Sequence, residues 1–158
     1  ICFVPDGNYA RLVARLRPAA VEPGDIAHVD GRVLGRHEGI AHFTVGQRRG
    51  LGFAAGRPVY VVQIDRSTNR LIVGEDAELH HAACEVRDVN WIACETPPAP
   101  VHARVRIRHR HEAAEATIEA LDANSARVTF REPQRAITPG QAAVFYSDER
   151  VLGGGWID

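Results

Sequence analysis

A chain of 158 residues that is 45% apolar and 25% charged carries enough hydrophobic side chains for one ordinary domain or two small ones. It has no apolar run near the roughly 18–20 residues a membrane-crossing helix needs, and its first residues lack the cationic-then-apolar order of a secretory signal. Three cysteines, Cys2, Cys84 and Cys94, make an odd count with no C-x-x-C pair, which argues against a disulfide framework and a thiolate zinc knuckle, so a reducing, cytoplasmic setting is expected.

The net charge of −1 hides an uneven distribution. All 19 basic residues are arginine, five of them within residues 31–57 beside a single acid, Glu38. Residues 101–111 hold four arginines, three histidines and no acid, while acids crowd residues 65–95 and 112–122. Codon bias in a GC-rich genome accounts for arginine in place of lysine but not for this clustering, and arginine's planar fork suits phosphate.

In chain order, the first string is ICFVPDG, with no initiator methionine, so Cys2 is expected to lie mid-protein in a longer natural product. Residues 7–16 place Tyr9, Leu12, Val13 and Leu16 at helical spacing, and Pro18 stops the helix. Residues 24–34 read as strands around an Asp30-Gly31 turn, and residues 58–65 and 71–74 as a hairpin turning at 66–69. Between them HFTVGQRRGLG sets Gly46, Gly50 and Gly52 around Gln47, Arg48 and Arg49, a tight loop displaying polar and cationic side chains, or simply a structural glycine turn. Residues 79–86 are weakly patterned and mark a domain boundary.

The second half is also β. Val101, Ala103, Val105 and Ile107 fall on one face of a strand, and His102, Arg104, Arg106, Arg108 and Arg110 on the other, so cationic side chains recur about every 6.6 Å and can track a phosphate backbone. Residues 115–121 and 126–130 read as strands joined by a polar turn, and residues 141–146 add another before Gly153, Gly154 and Gly155, which suit close backbone packing. Many short strands with polar turns suggest a small barrel. His80, His81 and Cys84 do not match a zinc spacing. His109 and His111 could serve acid–base chemistry, but a strand that faces a polyanion accounts for them more simply.

The ordered blocks ICFVPDG, HEGIAHFTVGQRRGLG, VYVVQID, RIRHR, ITPGQAAVFY and LGGGWI resemble the carboxyl-terminal portion of the tRNA-specific 2-thiouridylases. The resemblance spans nearly the whole chain. It implies a mainly β fold: a linker and short helix over residues 1–20, a small β central domain over 21–82, and a six-stranded barrel similar to a translation-factor barrel over 83–158. It also implies a sulfurtransferase that places sulfur on carbon 2 of the wobble uridine of tRNA. In that family ATP activates the uridine, bound by an amino-terminal domain with an SGGxDS loop that these residues do not contain. The fragment alone is therefore expected to be inactive.

By the same resemblance, Cys2 in the ICF motif inherits the persulfide-carrying role, fed by a cysteine desulfurase or relay protein and released through a disulfide with a first catalytic cysteine not present here. Taken alone, a cysteine between Ile1 and Phe3 reads as a small buried hydrophobe. Family contacts to tRNA map onto Arg108, His109 and Gln141, with His109 standing where tyrosine is usual; the flat ring survives but the phenol does not. Arg104, Arg106, Arg110, Gln47, Arg48 and Arg49 are further candidates. No metal is expected, and Cys84 and Cys94 match no catalytic motif. Rival readings are a stand-alone RNA-binding module with an inert Cys2, and a docking module for a sulfur-donor protein in which Gln47, Arg48 and Arg49 face an acidic surface.

Overall fold

β-branched and aromatic runs separated by Asp, Asn, Ser and Gly clusters favour short strands over helices, and that is what the chain forms. The computed structural model describes residues 15–16, 21–53, 56–92, 95–109 and 112–158. The helix expected over residues 7–16 lies outside them except for Arg15 and Leu16, which are helical. The chain divides into two units, Ile1–Leu79 and His80–Asp158.

The first unit holds strands β1 (Gly24–His28), β2 (Val33–His37), β3 (Tyr60–Asp65) and β4 (Arg70–Gly74) in the order β2-β1-β4-β3. Both expected hairpins are present. The Asp30 carboxylate organises the first turn, accepting from the Arg32 amide at 3.0 Å and from Arg32 Nε at 2.8 Å. Asp65 organises the second, accepting from both the amide and the hydroxyl of Ser67 and from the Thr68 hydroxyl. These are the local side-chain bonds that make Asp a turn residue. The hairpins join through a parallel pair, β1 with β4, which sets Ile26 opposite Leu71. Ile26, Leu51, Val59, Val61, Leu71 and Val73 form the core of this unit.

The second unit is a closed antiparallel barrel of six strands: β5 (His80–Trp91), β6 (Val101–Arg106), β7 (Ala114–Ala120), β8 (Ser125–Arg135), β9 (Ala142–Ser147) and β10 (Arg150–Ile157). They close in the order β10-β5-β8-β7-β6-β9, as the barrel expectation requires. Val105, Ile118, Val128 and Phe145 are fully buried and fill its centre, each worth about 1.5–3 kcal/mol of burial.

Strand β5 was not legible in the sequence. Asp88 takes a left-handed φ of 52°, and β5 advances from Arg87 to Asn90 while its partner advances only from Trp156 to Gly154. That extra residue is a β-bulge, so Val86 and Val89 both point inward at a spacing of three and the period-two signal is lost. On the opposing strand, a Cβ on Gly155 would lie 2.4 Å from the Arg87 carbonyl oxygen, so only glycine lets β10 approach β5 this closely.

Candidate nucleic-acid interface

Alternation along β6 buries Val105 and turns His102, Arg104 and Arg106 outward. The neighbouring β9 places Phe145 inside and Tyr146 outside, and pairs Tyr146 with Arg104. The Arg106 guanidinium lies over the Tyr146 ring at 5.5 Å from its centroid, a cation–π contact. Arg104 Nη2 donates to the Asp148 carbonyl at 2.7 Å, and a His102 ring nitrogen lies 3.2 Å from the Thr117 hydroxyl. Along this wall runs a groove of about 700 Å³ lined by His102, Arg104, Glu115, Thr117, Arg131 and Tyr146.

The charge pattern of the barrel follows from what each arginine touches. Arg127 pairs with Glu85 at 2.8 Å, Arg131 with Glu115 at 2.6 Å, and Arg87 with Asp88 and Asp158. These cations are neutralised by acids. Arg104 and Arg106 rest instead on a carbonyl and an aromatic ring, and neither forms an ion pair among the described residues, although Glu115, the partner of Arg131, stands opposite Arg104 in the β6–β7 register. Exposed cations of this kind are available to phosphate.

The cationic ladder expected to continue to Arg110 is shorter than the alternation implied, because β6 ends at Arg106. Arg108 lies beyond the strand and is half-buried, with Nη2 donating to the carbonyls of Arg135 and Ala136. Burial, helped by the neighbouring Arg135 charge, pushes the Arg108 pKa down from its ordinary value. His109 is exposed in the turn that follows, and Arg110 and His111 lie outside the described residues. Gln141 immediately precedes β9; its backbone N–H donates to the Thr138 carbonyl at 3.2 Å, and its buried side-chain Oε1 has no partner among the described residues.

In the first unit, Gly46, Gly50 and Gly52 have φ of 85°, 73° and 80°, the left-handed region that glycine enters freely. Gln47 is the brace of this loop. Its Oε1 accepts from the Thr44 amide at 3.1 Å and its Nε2 donates to the Arg49 carbonyl at 2.9 Å. The loop backbone in turn bonds to β3, the Gln47 carbonyl accepting from the Val61 amide at 2.9 Å and the Gly46 amide donating to the Val61 carbonyl at 2.7 Å. Gln47 is therefore spent on the loop's own shape, while Arg48 and Arg49 are exposed.

Cys2 and Cys94 fall outside the described residues. Cys84 is half-buried on β5 and is a free thiol whose pKa burial pushes up to about 11, so it carries little thiolate at neutral pH. Sequence reasoning missed Tyr146 and the segment around Ala136. The inward position of Phe145 was the available signal for Tyr146, since adjacent strand residues face opposite ways.

Comparison with known proteins adds what geometry alone does not. Residues 81–157 match the aminomethyltransferase beta-barrel domain model, and residues 13–75 match the tRNA methyl transferase PRC-barrel domain model. The chain is 49% identical over 165 residues to the tRNA-specific 2-thiouridylase MnmA of Rhodospirillum centenum, covering 99% of this chain and 42% of that protein. With the enzyme of the same name from Syntrophotalea carbinolica it shares 49% identity over 157 residues, covering 99% of this chain and 44% of that protein. The chain belongs to the tRNA-specific 2-thiouridylase family. It spans less than half the length of these 2-thiouridylase relatives. The two matched models cover the two structural units, so the sheet and the barrel are both family modules. Among the described residues, no helix is long and apolar enough to cross a membrane.

Proposed function

We propose that this chain is the tRNA-binding and sulfur-carrying portion of a sulfurtransferase that makes 2-thiouridine at the wobble position of tRNA. The observation that carries the reading is near-half identity over 99% of the chain to proteins named for that reaction. The exposed cations of β6, which form no ion pair among the described residues, support it, since they suit a polyanion. RNA contact is assigned to Arg104, Arg106, His109 and Gln141, joined by Arg48 and Arg49, with Arg110 as an additional candidate and Arg108 and Gln47 included as parts of the same surfaces.

Cys2 Sγ carries the transferable sulfur as a persulfide delivered by a cysteine desulfurase or relay protein. The outer sulfur is the nucleophile that bonds to carbon 2 of the adenylated uridine, and the carbon 2–oxygen bond breaks as that oxygen leaves with AMP. The S–S bond then breaks as a second enzyme thiol forms a disulfide with Cys2, leaving the sulfur on the base. ATP supplies the activation in the SGGxDS-type domain of the whole enzyme, and no residue of this chain is assigned to it. The setting is cytoplasmic, with tRNA.

The test is Cys2→Ser in the whole enzyme. Thiolation of tRNA is lost while tRNA affinity stays within about twofold of the unaltered enzyme. Retained thiolation would remove Cys2 from the reaction. In parallel, the affinity of this chain for tRNA against an unstructured RNA of equal length, measured across salt, shows whether recognition resides here.

A further inference from the structure

Arg108 stands on the cationic side of its segment, yet its guanidinium is directed back into the barrel wall. One amino group, Nη2, donates to the carbonyls of both Arg135 and Ala136 at 2.5 Å each, and Nε is buried without a partner among the described residues. The two acceptors sit where β8 ends and the chain turns sharply. Ala136 is fully buried with φ of 53°, a left-handed conformation that is unfavourable for a residue with a Cβ and persists only when its surroundings hold it. One amino group that gathers consecutive carbonyls is such a hold, and a lysine, whose nitrogen sits one bond short of Nη2 on a flexible stem, does not reproduce it.

From that point hydrogen bonds lead directly to Gln141. The Ala136 carbonyl also accepts from the Thr138 hydroxyl at 2.9 Å, and the Thr138 carbonyl accepts from the Gln141 amide at 3.2 Å. On the other side β10 fixes the same turn: the Gly140 amide donates to the Ile157 carbonyl at 2.7 Å, and the Ile157 amide to the Gln141 carbonyl at 2.8 Å. The turn is held at both ends, and its last residue keeps a buried amide oxygen, Oε1, without a partner among the described residues. Gln141 as a whole is half-buried, so its open part, not this oxygen, is what RNA meets.

We infer that Arg108 is a positioning residue: it locks the turn of residues 136–141 so that Gln141 is presented to RNA, and it does not itself neutralise a phosphate. The functional half of this inference rests on the RNA-binding reading above. A phosphate contact and a lock differ in three measurable ways. A phosphate contact tolerates lysine, contributes about one unit to the slope of log affinity against log salt, and acts independently of Gln141. A lock fails with lysine, leaves the slope unchanged, and is coupled to Gln141.

The experiment compares the unaltered chain with Arg108→Lys, Arg108→Ala, Gln141→Ala and the Arg108→Lys, Gln141→Ala double variant. Amide hydrogen exchange without RNA comes first; it should rise in residues 136–141 for Arg108→Lys while the strands stay protected. Unchanged exchange in that turn would overturn the lock. In tRNA titrations at several salt concentrations, Arg108→Lys and Gln141→Ala should each weaken binding on the order of tenfold, the double variant no further, and the slope should not move. Near-unaltered binding by Arg108→Lys, or a slope lower by about one for Arg108→Ala, would overturn the positioning role. If the unaltered chain binds no tRNA, the RNA-binding reading falls, and the exchange result alone upholds or overturns the lock.

Discussion

The guanidinium of Arg106 lies over the ring of Tyr146, joining a cation of β6 to an aromatic of β9 on the outer wall of the barrel. The ring orients the arginine without cancelling its charge, so Arg106 is held out yet remains cationic. Arg106→Ala should weaken tRNA binding and lower the salt slope by about one. Tyr146→Leu should weaken binding with the slope intact, because it removes the platform and no charge. Titrations at four or more salt concentrations separate the two, and an unchanged slope for Arg106→Ala would place the phosphate path off this wall.

Gln47 bridges Thr44 and Arg49 with both ends of its amide. Gln47→Ala removes two hydrogen bonds and should cost roughly 1–2 kcal/mol, read as a lower denaturation midpoint of the first unit. Arg48→Ala and Arg49→Ala, which truncate exposed side chains, should leave that midpoint within about 0.5 kcal/mol. A Gln47→Ala chain as stable as the parent would mean the glycines alone shape the loop.

Asp65 is half-buried, and its carboxyl is held down at about 2 from an ordinary 3.8, first by the Ser67 hydroxyl and then by the Thr68 hydroxyl. Asp30 is held low as well, with the Arg32 guanidinium as the leading cause. Both folded values lie below the unfolded ones, so these turns stabilise the first unit above about pH 4 and lose that contribution as pH falls through about 2. Urea midpoints between pH 5 and pH 2 should therefore fall for the parent and fall less steeply for Asp65→Asn. Parallel acid profiles would assign the acid sensitivity to other carboxylates.

Gly155 and Gly140 are both glycine for reasons that substitution can tell apart. At Gly155 the obstacle is space, since a Cβ would lie 2.4 Å from the Arg87 carbonyl and 3.2 Å from Val89 Cα. At Gly140 no atom lies within 4 Å, and the obstacle is a φ of 81°. Gly155→Ala should cost about 1–3 kcal/mol and loosen the β5–β10 seam in hydrogen exchange. Gly140→Ala should cost about 1–2 kcal/mol and leave the seam protected.

Local signals were the readable ones. The VYVVQID run and the Asp-led turn after it announce the β3–β4 hairpin, because a turn carboxylate and a β-branched run act over a few residues. The parallel pairing of β1 with β4 was not visible, since no local pattern states which distant strands meet. Strand β5 was masked by the bulge at Asp88, which moves Val89 onto the face of Val86. For the candidate site, periodicity correctly turned Arg104 and Arg106 outward. It gave no warning that Arg108 would find carbonyl acceptors from β8, because those acceptors arrive 27 residues later in the chain. Gln47 was read as a display residue for the same reason: sequence spacing does not reveal which side chains a loop consumes internally.

Strand β10 lies between β5 and β9, and every other barrel strand precedes it in sequence. Until residues 150–157 emerge from the ribosome, β5 and β9 therefore remain open edges, the state in which strands recruit other chains. The glycines that permit the final seam bring no side chains to drive it, so backbone hydrogen bonding carries much of the docking at that point. Synthesis that stalls or terminates before Arg150 should yield a barrel prone to aggregate, even though most of its buried residues have already been made.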